Sequence, residues 1–143
     1  MAARAGRRTA AGFHLYHVVL LACAAPLFLG GLLSDLAYAR TYEIQWLNFA
    51  AWLIAGGMVF AGIALVWSLL EVLLRREARR RGPLVGLLLL LAIFILGLLN
   101  SFMHARDAWG AMPAGLIMSV VVAALAMAAV WLSVSGDRIG AAA

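Results

Sequence analysis

Four apolar stretches, each long enough to cross a bilayer, are separated by three short polar breaks. They run from about Phe13 to Leu33, Ile44 to Leu70, Leu84 to Met103 and Pro113 to Val134. About 20 apolar residues at 1.5 Å of rise per residue cross ~30 Å of hydrocarbon as a helix. Hydrocarbon offers backbone groups no partner, so each stretch must satisfy its N–H and C=O groups internally, as a helix does. The expected fold is all-α: an integral membrane four-helix bundle, one domain over residues 1–143 with spans of about 13–33, 44–70, 84–103 and 113–134. The spans and their connections use up the chain, so no soluble domain is expected. Composition agrees, because only 12% of residues are charged, against about 25% in a soluble domain.

The basic residues set the expected orientation. All 11 are arginines. Arg4, Arg7 and Arg8 precede the first stretch, Arg75, Arg76, Arg79, Arg80 and Arg81 follow the second, and Arg138 follows the fourth. Only Arg40 and Arg106 fall in the other two breaks. Arginine concentrates on the cytoplasmic side of membrane proteins. Both termini and the middle connection are therefore expected in the cytoplasm of a bacterium, with the protein a multi-pass resident of the inner membrane. The same residues suit lipid headgroups, so the high isoelectric point is not a sign of nucleic-acid binding. Basic residues ahead of an apolar run, with small residues near Cys23, loosely resemble a signal peptide. The run continues to Leu33, which favours a retained first helix. A lone cysteine excludes an intrachain disulfide and a paired-cysteine metal motif.

Lipid gives no hydrophobic drive for helix association, so small residues must let the backbones approach. Gly115, Ser119 and Ala123 form a four-residue-spaced strip on the fourth stretch, Gly57 and Ala61 on the second, and Gly97 and Ser101 on the third. These strips are expected to face the inside of the bundle. Pro26 should kink the first helix. Tyr38, Tyr42, Trp46 and Trp109 are expected as an interfacial belt at the outer boundary, with Trp67 and Trp131 at the inner one. Trp52 lies deeper and is expected to pack between helices.

Polar residues gather at the outer side. Asp35, Tyr38, Arg40 and Glu43 are assigned to the first connection, and Asn48 lies a turn into the second span. Asn100 and Ser101 end the third span, followed by His104, Arg106 and Asp107. An asparagine in hydrocarbon must find a partner. Asn48 and Asn100, at similar depth, are expected to bond to each other or to loop backbone. Arg106 is expected to pair with Asp35 through its planar fork. Asp35, Asn48, Asn100, His104, Arg106, Asp107 and Trp109 thus form the candidate ligand- or partner-binding set. The alternative is a hydrogen-bonded lid that closes the bundle. His14 and His17 share one helix face at the inner end and are weak metal candidates. Two-histidine haem ligation within one chain is excluded by geometry, because His104 lies a full span away. No zinc-protease, phosphate-loop or nucleophile-elbow motif occurs, and no catalytic residue stands out.

Two segments carry a resemblance. The first is Asn100-Ser101-Phe102-Met103-His104-Ala105-Arg106-Asp107-Ala108-Trp109, followed by Pro113-Ala114-Gly115-Leu116-Ile117-Met118-Ser119. The second is less specific and has two separate parts, His14-Leu15-Tyr16-His17 with Ser34-Asp35-Leu36 in the first span, and Trp52-Leu53-Ile54-Ala55-Gly56-Gly57 in the second. The chain resembles a bacterial four-helix membrane protein family known as domain of unknown function 2231. The family pattern of a Phe-Pro pair in the first span is replaced here by Ala24 and Pro26. Some members are joined to, or encoded beside, Rieske iron–sulfur, quinoprotein dehydrogenase or cytochrome components. The resemblance implies a membrane module serving electron transfer. The expected function is a non-catalytic membrane subunit or anchor of a larger complex, in contact with lipid and other membrane subunits and requiring no cofactor. The alternative is a redox-active module that binds quinone or haem.

Overall fold

The computed structural model describes the backbone of residues 2–74, 81–106 and 108–141, and the side chains of residues 15–74, 84–106 and 110–135. Arg75, Arg76, Arg79, Arg80 and Asp107 lie outside the described residues, as do the side chains of His14 and Trp109. Five helices follow in order: α1 (Ala2–Thr41), α2 (Ile44–Leu74), α3 (Arg81–His104), α4 (Ala108–Ala111) and α5 (Ala114–Ala141). Among the described residues there is no strand. Segments Leu15–Thr41, Ile44–Leu74, Leu84–His104 and Ala114–Ser135 are each long and apolar enough to span a membrane. The expected all-α bundle of four spanning helices is what the chain forms. α1 packs on α2 and α5, and α3 packs on α2 and α5, so the four long helices close a ring in chain order.

Each helix buries one seam with steps that alternate between three and four residues. On α2 the seam is Leu47, Ala50, Ile54, Gly57, Ala61, Ala64 and Ser68. On α3 it is Leu90, Ile93, Gly97, Asn100 and His104, and on α5 it is Gly115, Ser119, Val122, Ala126 and Ala129. This is the 3.5-residue repeat of helices wound at a shallow angle with interlocking side chains. The small-residue strips expected to face inward do so on α2 and α5, whereas on α3 Gly97 is buried and Ser101 lies half-buried beside the seam, its hydroxyl donating to the Gly97 carbonyl. Ser119 and Ala123 are both 2% exposed. Gly57 lies so close to Phe28 that an added Cβ would sit 2.9 Å from the ring.

The connections explain where the helices stop. α1 runs on through Ser34, Asp35, Tyr38 and Arg40 to Thr41, where a loop was expected after Leu33. The physical reason is that its polar residues are satisfied without leaving the helix. The Ser34 hydroxyl donates to the Gly30 carbonyl at 2.9 Å and the Thr41 hydroxyl to the Ala37 carbonyl at 2.8 Å. Tyr42 ends the helix in the left-handed region (φ 57°), with its N–H donating to the Tyr38 carbonyl, a common helix C-terminal geometry. Two residues later α2 begins, so α1 and α2 run antiparallel side by side. Pro83 falls in the first turn of α3, where its missing N–H is harmless.

Three aromatic expectations meet the structure differently. Tyr42 is exposed at the end of α1, as an interfacial residue should be. Tyr38 is instead buried, in a small cluster with Leu47 and Ala111 against which Trp46 and Met112 pack. Trp52 is 78% exposed and faces away from the bundle rather than between helices. The seam passes through Ala50 and Ile54, and position 52 falls on the opposite side of α2.

Candidate functional site

Four polar side chains meet inside the bundle at the end where α1 and α3 finish and α5 starts. Asp35 comes from α1, Asn100 and His104 from α3, and Ser119 from α5. Asp35 and Asn100 are fully buried, Ser119 is 2% exposed and His104 is 7% exposed. All of the α3 and α5 members occupy the inward seam of their helices. Asn100 and His104 are four residues apart, so one lies a turn above the other.

The hydrogen bonds form a closed circuit. The Asn100 side-chain amide donates to Ser119 Oγ at 2.9 Å. Ser119 Oγ donates to Asp35 Oδ2 at 2.5 Å. Asp35 Oδ1 lies 2.8 Å from His104 Nε2. His104 Nδ1 lies 2.9 Å from the backbone carbonyl of Asn100, where the circuit began. Gly115 leaves room for the imidazole, since a Cβ at this position would sit 3.1 Å from His104 Cε1.

The proton count follows from the partners. A carbonyl oxygen only accepts, so Nδ1 must carry hydrogen. The contact between Nε2 and Oδ1 then needs one proton, held by either atom. Whichever holds it, the Asp35–His104 pair is neutral as a whole, which suits a buried site where net charge is expensive. The direction of the other bonds is fixed in the same way. If Asp35 Oδ2 donated to Ser119, the pair would carry two protons and a buried positive charge. The Ser119 hydrogen therefore goes to Asp35, and its oxygen receives the Asn100 amide. One atom is left over: Asn100 Oδ1 is buried and has no hydrogen-bond partner.

This arrangement differs from a nucleophilic triad. In a triad the imidazole sits between serine and carboxylate and takes the serine proton. Here the carboxylate sits in the middle, and serine and histidine each bind one of its oxygens. Both ring nitrogens of His104 face protein partners, so neither points at an open metal position. Among the described residues no group of three or more His, Cys, Asp or Glu side chains is placed to hold a metal ion.

The structure brings together three members of the expected set, Asp35, Asn100 and His104. It places Asn48 and Arg106 elsewhere, and Asp107 and the Trp109 side chain lie outside the described residues. Asn48 is exposed on α2 and does not meet Asn100, which bonds Ser119 instead. Arg106 is exposed beyond the end of α3, with its N–H donating to the Met103 carbonyl. The expected Asp35–Arg106 pair is replaced by Asp35–His104, because the continued helix turns Asp35 inward, away from the connection that carries Arg106. His17 is half-buried near the start of the spanning segment Leu15–Thr41, ~27 Å along the helix from Asp35 at 1.5 Å per residue. Ser119 joins the site as a hydrogen-bonding member; from sequence it stood out only as a small residue. Its signal is register: Gly115, Ser119 and Val122 continue one three–four seam.

A family model described as a predicted membrane protein matches residues 13–138, a stretch that holds all four spans and every member of the cluster. No curated relative and no solved structure matches the chain. The match covers far more than half of the molecule, and its description agrees with four helices able to cross a membrane. The chain belongs to the DUF2231 family of predicted membrane proteins.

Proposed function

We propose that the protein is a non-catalytic membrane subunit that anchors and organises a larger complex in the bacterial inner membrane, and that its termini face the cytoplasm. One observation carries this reading. The groups most capable of chemistry, Asp35, His104 and Ser119, are bound to one another across α1, α3 and α5. Bonds of that kind hold helices in register, as polar side chains do at interfaces between membrane helices. With these bonds made, none of the three is free to act as a nucleophile or base or to ligate a metal. The distribution of arginines supports the orientation. The link to electron transfer rests on the family resemblance, through members joined to iron–sulfur and quinoprotein components.

The test is native capture. Tagged protein is extracted in mild detergent from membranes of its own host, and its companions are identified alongside an optical spectrum. The expected result is a colourless chain that copurifies with defined membrane subunits in fixed ratio. Recovery of the chain alone from a gentle extraction overturns the subunit reading. A stoichiometric haem band or tightly bound quinone replaces it with a redox-active module.

A further inference from the structure

We propose that the buried cluster is a binding site for one small hydroxyl donor, seated on Asn100 Oδ1 beside the Asp35–His104 pair. A bundle locked only by its own side chains would have no reason to leave an acceptor unmatched. Asn100 is fully buried, and every other polar side-chain atom of the circuit has a partner. Buried polar atoms in native proteins almost always have a partner, either protein or ordered water. An acceptor left bare costs about 1–3 kcal/mol.

Rotating the amide does not remove the problem. A flipped Asn100 would aim its oxygen at Ser119 Oγ, whose hydrogen already belongs to Asp35, and would leave the NH2 group bare instead. The unmatched atom is therefore an acceptor, and what fills it must donate. It must also be neutral, because the shared proton already cancels the charge of Asp35. A cation would meet a neutral pair with no net attraction to offset its dehydration. An O–H group is the smallest neutral donor that meets these conditions. Two sources supply one inside a membrane protein: a water molecule, or the hydroxyl of a membrane hydroquinone. Either would make a circuit that is complete on all its atoms, and the inference holds for the lock described above as well as for a redox module.

The experiment uses the full chain in phosphatidylethanolamine–phosphatidylglycerol vesicles free of quinone, labelled at asparagine, histidine and isoleucine. Solid-state NMR then follows magnetisation passed from water to side chains. The expected result is transfer to the Asn100 amide, with the core residues Ile54 and Ile93 remaining dark. Asn100→Leu removes the seat, and transfer to the His104 ring should then fall to the level of those isoleucines. An Asn100 signal that is dark in these vesicles but shifts when a short-chain hydroquinone is added also supports the site and names its occupant. An Asn100 signal as dark as Ile93 and unmoved by hydroquinone overturns the proposal. So does transfer to His104 that Asn100→Leu leaves unchanged.

Discussion

The two halves of the bundle are held by different physics. From Leu21 and Ala24 through Phe28, Ile54, Ala61, Leu90, Ile93, Val122 and Ala129, the core is aliphatic, aromatic or alanine, with Ser68 a buried polar residue at its far end. The end where α1 and α3 finish is closed by Asp35, Asn100, His104 and Ser119. In water the apolar half would be the stronger, since burial of apolar surface drives folding. In lipid that drive between helices vanishes, because the surrounding chains are as apolar as leucine. Shape then decides the apolar half: how closely Gly57 lets α2 approach Phe28. Bond direction decides the polar half. The first kind of contact tolerates sliding, whereas the second specifies one register between α1, α3 and α5.

The largest effect should come from breaking the polar half at its centre. Asp35→Leu leaves His104 Nε2 without its partner and the Ser119 hydroxyl hydrogen without its acceptor. Removing one member of a buried pair costs about 3 kcal/mol. We expect a loss of that size in equilibrium unfolding with denaturing detergent. The double variant Asp35→Leu with His104→Leu should lose less than the sum of the two single changes, since it removes the orphaned ring as well. A loss below ~1 kcal/mol for Asp35→Leu, within the range of an ordinary membrane hydrogen bond, would mean that the circuit does not lock the bundle.

A smaller and more telling contrast comes from adding the same methyl group to each half. In Gly57→Ala the new Cβ meets Phe28 Cε1 at 2.9 Å, closer than real contacts allow. The ring must move, and overpacking of this kind costs about 1–3 kcal/mol. In Gly115→Ala the new Cβ meets His104 Cε1 at 3.1 Å. Relief there needs only a few tenths of an ångström, but the imidazole that shifts is held at 2.8 and 2.9 Å on its two nitrogens. Gly57→Ala should therefore lower stability and leave the His104 nitrogen resonances in place, and Gly115→Ala should move those resonances. Identical responses at both positions would erase the distinction between the halves.

The two halves also differ in how well they could be read. The four spans are plain in hydropathy, and the inward strips follow from Gly57, Ala61, Gly97, Gly115 and Ser119. The 3.5-residue seam is hidden, because lipid-facing Val59, Ile63 and Val66 are as apolar as buried Ile54. Without a polar outer face there is no hydrophobic periodicity to see. Asp35, Asn100 and His104 stand out as polar residues near hydrocarbon, yet their pairing was not legible. Treating residues 34–41 as a connection put Asp35 near Arg106, and only the continuation of α1 to Thr41 turns it towards His104. Partner choice across helices 69 residues apart in sequence depends on rotation of each helix about its axis, which hydropathy does not encode.

The smallest effect should come from the side of α2 that faces away from both halves. Trp52 is 78% exposed, whereas Ala50 and Ile54, two residues to either side, are at most 1% exposed. Its bulk and depth suggested a residue wedged between helices; its position in the seam puts it against lipid. The two placements predict different outcomes for Trp52→Leu. A wedged tryptophan would leave a cavity, and in a packed interior even the fuller truncation to alanine costs about 3–5 kcal/mol, so a loss of about 2 kcal/mol or more is the mark of that placement. A lipid-facing tryptophan leaves none, since lipid fills the space and the side chain meets hydrocarbon before and after the helices separate. We expect a change within about 0.5 kcal/mol, the range of surface substitutions. The measurement is best made at two ratios of protein to detergent. A loss that appears only at the higher ratio would show that another chain covers Trp52 when copies are crowded. A loss of ~2 kcal/mol or more at both ratios would return Trp52 to the interior and break the assignment of the outward face of α2.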